Sequence, residues 1–367
     1  MTDTASVEPA IDSMTETVLA RAAEIARYLS GQRGDAPSMF WDDIGRQNIE
    51  MLAQNGVAQF KRHVSQNYFN WVVEGPNDPK FRRLVKYWMN MPEFGPLEVG
   101  LEGSGAVHSI NDTHFLATQT AERGYTLFVG LLWWWAQKGD ALGPMPDLSE
   151  PLLGDPVQTW EGARRVSQDL ANSRREFARF SPWLQSPSNG KRQVLAEIGA
   201  GYGRLGFFAA HAASAAYWVF DVPPALPLAE WYLGEVLPQK TIFRWRPFTR
   251  WEDVRDEVLA ADLCFFTPDQ LRLIPHKSVD VFAAISSLHE MTEDQTTRYM
   301  HQMAEAARVI YTKNWTLWRN EADGVEFASA SVTAPDGWST AFDRIDDVID
   351  DFTEKLFLSP DVEHIGG

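Results

Sequence analysis

Glu197, Gly199, Gly201 and Gly203 fall at alternate positions in VLAEIGAGYGRLG (Val194–Gly206), where an apolar run ends in an acid and passes straight into glycines. Glycine lets the backbone turn sharply with no side chain between it and a ligand, so the stretch predicts a strand feeding a cradle. The order Gly199-Ala200-Gly201-Tyr202-Gly203 departs from the G-x-G-x-x-G pattern that aims a helix N-terminus at a pyrophosphate. A carboxylate two residues before the first glycine suits a cationic partner better than a phosphate.

A second short apolar run, AYWVF (Ala216–Phe220), closes on Asp221, 24 positions after Glu197, with the helical-looking LGFFAAHAAS between the two. A carboxylate at the end of the second strand of such a unit can accept hydrogen bonds from both hydroxyls of a ribose. A nucleoside with cationic groups and no phosphate is S-adenosylmethionine, which carries a sulfonium and an ammonium.

Ligands on open α/β sheets bind at the carboxyl ends of strands, which directs attention to SSLHEM after the predicted strand Val279–Ile285. Ser286, Ser287, His289 and Glu290 stand between that strand and a helix whose start is marked by Thr292 and Gln295, a capping-box pattern. Transfer of a methyl group to a hydroxyl requires loss of the hydroxyl proton, and imidazole is the usual base near neutral pH. His289 is the candidate base. Glu290 either orients the imidazole, favours its protonated form, or points to solvent or the next helix terminus.

The other histidines are His63, His108, His114, His211, His276, His301 and His364. Their spacing fits no standard zinc pattern, although His108 and His114, in HSINDTH, could reach a substrate. Asp343, Asp346, Asp347, Asp350 and Asp351 interleave with Ile345, Val348, Ile349 and Phe352 in a near-helical pattern that predicts a solvated helix face. A divalent metal is not expected and not excluded.

The elements that position these residues alternate. A helix is expected at about 225–237, then a strand at 241–245, an apolar run at 262–267, the strand 279–285, a helix at 293–308 and a strand at 309–315. This implies an α/β fold, a doubly wound, mostly parallel Rossmann-like sheet. The first half reads as mainly helical, with runs from Val18 to Leu29 and at about 41–54 and 118–136. Asp155-Pro156 reads as the start of a helix continuing through Trp160, Ala163, Val166, Leu170 and Phe177. The expected organisation is a disordered N-terminus (1–15), a helical N-terminal region forming an acceptor pocket and cap (16–190), and a cofactor-binding catalytic domain (191–367).

With 367 residues, 44% of them hydrophobic, the chain can bury a substantial core. A net charge of −17 and no Lys/Arg-rich run argue against nucleic acid as substrate and favour small molecules. Cys264 in DLCFF reads as a buried, inert thiol. LFVGLLWWWA (Leu127–Ala136) is too short to span a bilayer and no signal region precedes the fold, so no membrane partner and a cytoplasmic location are expected. Trp133, Trp134 and Trp135 cannot all face one way, so at least one meets a cleft, a neighbouring domain or another subunit; a homodimer stays an open option.

VSQDLANS (Val166–Ser173), EIGAGYGRLG (Glu197–Gly206), FDVPPALPLAEWYL (Phe220–Leu233), SSLHEMT (Ser286–Thr292) and YTKNW (Tyr311–Trp315), in this order, resemble the sugar O-methyltransferases found in bacterial polysaccharide and natural-product gene clusters. That group lies within the class I S-adenosylmethionine-dependent methyltransferases, and the resemblance spans most of the chain. It implies O-methylation of a sugar or natural-product hydroxyl, with S-adenosylhomocysteine as the second product. N- or carboxyl-methylation, or non-catalytic binding of S-adenosylmethionine, are the alternatives. Carried over residue by residue, the resemblance assigns Glu197, Gly199, Gly201, Gly203 and Asp221 to the cofactor, with Ser286 beside them. Val222, Thr267 and Pro268 are expected to border adenine, and Gln168 to touch the methionine end. FKRHVSQNYFNWVV (Phe60–Val73), with Gln66, Asn67 and Asn70, suits either the lining of an acceptor pocket or an ordinary amphipathic helix.

Overall fold

A computed structural model describes residues 12–31, 38–63, 79–90, 119–138, 146–156, 159–184 and 192–362. The first half is helical: α1 (Ser13–Ser30), α2 (Met39–Asn55), the single turn α3 (Phe60–His63), α4 (Pro79–Asn90) and α5 (Gln119–Gln137). In α1 the side chains of Val18, Ala22, Ile25 and Leu29, three or four residues apart, are buried, and Asp12 caps the first turn by accepting from the amides of Met14 (3.0 Å) and Thr15 (2.8 Å).

After α5 the chain makes a small hairpin, β1 (Thr159–Glu161) and β2 (Arg164–Val166), before α6 (Gln168–Phe180). The helix expected from Asp155 therefore starts twelve residues later. Gly162, at φ +57°, turns the chain between the strands, and Ser167 caps α6 by accepting from Leu170 N at 2.9 Å.

The rest alternates: β3 (Val194–Ile198), α7 (Arg204–Ala212), β4 (Ala216–Phe220), α8 (Ala225–Val236), β5 (Ile242–Phe243), α9 (Arg255–Ala260), β6 (Leu263–Phe266), β7 (Val279–Ile285), α10 (Glu293–Ala306) and β8 (Ala307–Trp315). An antiparallel hairpin follows, β9 (Leu317–Asn320) with β10 (Val325–Ala328), and the chain ends in β11 (Ser339–Ile345) and β12 (Phe352–Leu358).

The central sheet has the order β11-β12-β8-β7-β3-β4-β6-β5. Its strands from β5 to β8 are parallel, and β12 runs antiparallel to both β8 and β11. The expected doubly wound, mostly parallel α/β sheet is thus the observed fold. Alternation along the strands feeds two cores. Leu195, Tyr217, Val219, Val281 and Ala283 face the helices α1, α5, α6, α7 and α8, while Ala196, Trp218, Phe220, Phe282 and Ala284 face α9 and α10. Cys264 is buried in the second of these cores, and burial pushes its thiol up.

The acidic stretch near the C-terminus is corrected by the structure. Asp343 lies in β11, and Asp346 to Asp351 form the turn into β12, so no helix forms there. Asp346 is 1% exposed rather than solvated, and its Oδ1 accepts from the amides of Val348 (2.8 Å) and Ile349 (2.7 Å). A carboxylate that closes a strand-to-strand turn explains the local pattern without a helix.

Among the described residues no helix is long and apolar enough to cross a membrane, and no group of three or more His, Cys, Asp or Glu side chains could hold a metal ion. His108 and His114, and residues 64–73 of the Phe60–Val73 segment, lie outside the described residues.

Candidate cofactor cleft

The chain leaves β3 for β4 on one side and returns to β7 on the other, so the crevice outside β3 and β7 is the topological switch point of the sheet. The glycine turn sits there. Gly199, Gly201 and Gly203 all take positive φ (+73°, +59° and +86°), a region closed to most side chains. A Cβ at Gly199 would meet the Ser287 Cβ at 2.4 Å, so the turn and the loop after β7 pack with no room to spare.

The cleft is lined by Glu197, Gly199, Ala200, Gly201, Tyr202, Arg204, Asp221, Ile285 and Ser286 from the sheet side. Trp41 of α2, Asp169, Asn172 and Glu176 of α6, Lys313 of β8, and Ile349 and Phe352 near β12 complete it. Of the residues expected from sequence, Glu197, Gly199, Gly201, Asp221 and Ser286 are brought together here.

Asp221 turns its carboxylate back onto the glycine turn, accepting from Gly201 N (2.8 Å) and Val222 N (2.7 Å). Burial raises its carboxyl to about 7, against those amides, which favour the charge. Glu197, 3% exposed, accepts the Tyr217 phenol and is likewise raised by burial, to about 8. Asp169 accepts the Tyr202 phenol at 2.5 Å and is raised by burial to about 7. Three buried carboxyl groups therefore border one cleft, each poorly compensated.

Glu176, a fourth, differs. It receives Arg204 Nη1 (2.6 Å) and Lys313 Nζ (3.1 Å), and although burial opposes ionisation the two cations hold its carboxyl below the usual range. Lys313 also meets Asp346 at 3.0 Å, and Asp346 takes Arg175 at 2.9 Å.

The remaining expected residues stand apart from the cleft lining. Gly203 starts α7, where a Cβ would strike Leu233 at 2.7 Å, so its role here is packing. Thr267 is fully buried, with its hydroxyl accepting Trp245 Nε1 at 3.2 Å, and Pro268 opens a short helical turn beside it. Gln168 is 2% exposed, and its Oε1 has no hydrogen-bond partner among the described residues.

His289 is 1% exposed, in a single helical turn after β7, with its ring edge-on to Trp318, Phe327 and Phe352. Asn314 Oδ1 accepts from Ser287 N (3.3 Å) and Leu288 N (3.0 Å) and faces His289 Nδ1 at 3.3 Å. That oxygen can only accept, which puts the ring proton on Nδ1 and the lone pair on Nε2, 3.6 Å from Glu290 Oε1. Burial holds the imidazole down to about 3, with Asn314 opposing, and pushes the Glu290 carboxyl well up, helped by the Asp221 charge. Burial thus favours the neutral form of each group. Of the alternatives for Glu290, solvent is ruled out: it is 5% exposed.

Sequence reasoning passed over Asp169, Asn172, Glu176, Arg204 and Lys313. The available signals were a charge inside the apolar strand run VIYTKNW and a helix, QDLANSRREFARF, too polar on every face for one that buries twelve of its thirteen residues.

No protein-family model and no curated protein matches the chain. Among solved structures it is similar to magnesium protoporphyrin IX methyltransferase (ChlM) from Synechocystis PCC 6803 with bound SAH, at 14% identity over 52% of this chain and 86% of that one (TM-score 0.36). The DhpI–SAH complex shares 15% identity over 52% of this chain and 94% of the other (TM-score 0.29). A SAM-dependent methyltransferase from Aquifex aeolicus shares 12% over 52% and 98% (TM-score 0.29). At such identities and scores these likenesses transfer neither ligand nor activity to this chain.

Proposed function

We propose that the chain is an S-adenosylmethionine-dependent methyltransferase acting on a hydroxyl of a small molecule, a sugar or natural-product intermediate. The observation that carries the reading is the glycine turn at the switch point, bordered by buried carboxylates with too few cations to balance them. The cofactor fits this cleft: a backbone held at positive φ admits close approach, Asp221 offers a carboxylate to a ribose, and the acidic wall favours a cationic ligand. Bound there, the cofactor supplies an electrophilic methyl group on a sulfonium.

Glu197, Gly199, Gly201, Asp221 and Ser286 hold the cofactor, with Gly203 shaping the turn, Val222, Thr267 and Pro268 on the adenine side and Gln168 towards the methionine. The helices before residue 190 wall the acceptor. His289 acts as general base, its Nε2 lone pair taking the hydroxyl proton, and Glu290 steadies the ring. What supports His289 is its tautomer, fixed by Asn314, and its anchored position after β7.

A second reading, N-methylation, is favoured by one observation: His289 does not line the cleft, and a base held near 3 is weak. The variant His289→Ala separates the two. With a panel of hydroxylated and amine acceptors, O-methylation through His289 requires S-adenosylhomocysteine formation to fall by about 10²-fold or more at unchanged cofactor affinity. Turnover close to wild type on an amine would reverse the assignment.

A further inference from the structure

Asp169 and Arg204 line the cleft, carry opposite charges and have no part in the reading above. Asp169 lies in the first turn of α6 and is 5% exposed; among the described residues its hydrogen-bond partner is the phenol of Tyr202, which is neutral. Lys61, a weaker electrostatic influence on Asp169 than Arg204, is held by other groups: its Nζ meets Glu150 Oε1 at 2.5 Å and the Tyr232 hydroxyl at 2.8 Å. Arg204 opens α7 and gives Nη1 to Ser173 (3.1 Å) and Glu176 (2.6 Å).

Tyr202 and Arg204 flank Gly203, so the same glycine turn sets the place of the phenol that holds Asp169 and of the guanidinium. Arg204 is also the strongest electrostatic influence favouring the charged form of Asp169. A carboxylate and a guanidinium lining one cleft complement a ligand group with the reverse pair, an ammonium and a carboxylate on a single carbon.

We infer that Asp169 and Arg204 grip an α-amino-acid head, Asp169 receiving its ammonium and Arg204 its carboxylate. The inference rests on the cofactor reading and assigns the methionine end of that ligand to α6 and α7. Glu197, which lines the same cleft, has its carboxylate on the Tyr217 phenol. The assignment also explains why a helix as polar as α6 is buried beside the cleft: its first turn is a binding surface.

Titration calorimetry on the full chain tests this with two ligands. S-adenosylhomocysteine and 5′-methylthioadenosine share the adenosine and the thioether, and the second lacks the amino-acid head. Asp169→Asn is expected to weaken S-adenosylhomocysteine by about 10- to 100-fold, the range for a hydrogen bond to a charged group, and to leave 5′-methylthioadenosine within about twofold. Retained binding of the headless ligand reports an intact cleft. Equal loss of both ligands, or no loss of either, overturns the assignment. If wild type binds neither ligand, the cofactor reading itself is overturned, which is a different result.

Discussion

Two sets of buried carboxylates, at the cleft and just behind it, behave in opposite ways. Glu176 and Asp346 are held below the usual carboxylate range, although burial alone would raise them. Glu197, Asp221 and Asp169 are raised to about 8, 7 and 7. Depth does not separate them, since all five are at most 5% exposed. The difference is the partner: Arg204, Arg175 and Lys313 surround the first set, while phenols and backbone amides serve the second. Cations inside the protein satisfy a structural acid, whereas neutral donors leave an acid that gains from a cationic ligand.

The largest effect should come from breaking the satisfied set. Asp346→Ala leaves Arg175 and Lys313 facing each other without their shared carboxylate and removes the cap on two turn amides. Loss of one partner of a buried ion pair costs about 3–5 kcal/mol, so urea unfolding should show a loss of that size. Because the folded-state carboxyl is lowered, the stabilisation is present above the unfolded value and disappears as pH falls through the folded one. A loss below about 1 kcal/mol would mean the network is not structural.

Asp221→Asn attacks the other set and should also weaken binding. The amide oxygen can still accept from one of Gly201 and Val222 while the other N–H faces the new NH2 group, and no buried charge is stranded, so stability should fall by about 1–3 kcal/mol, less than at Asp346. Affinity for S-adenosylhomocysteine should fall by about 1.5–3 kcal/mol, the worth of charged hydrogen bonds to ribose hydroxyls. Calorimetry and thermal unfolding on the same sample decide it. A variant that unfolds easily but binds well would erase the distinction between the sets.

The same contrast marks how far the sequence could be read. The strands Ala216–Phe220 and Val279–Ile285 and the Thr292 cap were legible because local pattern and tertiary demand agree there. Glu197 and Asp221 were legible because an acid at the end of an apolar strand has few structural uses. Asp346 was misread as solvated, since its cations come from α6 and β8, more than thirty residues away in sequence. Asp169 was missed for the same reason: only the folded chain puts Tyr202 and Arg204 beside it. The hairpin at 159–166 was hidden by apolar residues whose spacing also fits a helix.

The smallest expected effect concerns pH. Carboxyl groups raised in the folded state bind protons that the unfolded chain has already lost, so Asp221 and Glu197 make folding less favourable as pH climbs from about 4 through about 7 and 8. A cationic ligand reverses the sign, because it binds the ionised form and must expel the proton. Affinity for S-adenosylmethionine should therefore rise between about pH 6 and pH 8, by at most about tenfold per unit for each proton released. Calorimetry in two buffers of different ionisation enthalpy counts those protons directly. Glu197→Gln should flatten the upper part of the rise while leaving the lower part, which belongs to Asp221 and Asp169. A profile that is flat in the wild type would show that none of Asp221, Asp169 and Glu197 needs to ionise for binding, and the unsatisfied set would then be no more than buried acids kept neutral by the fold.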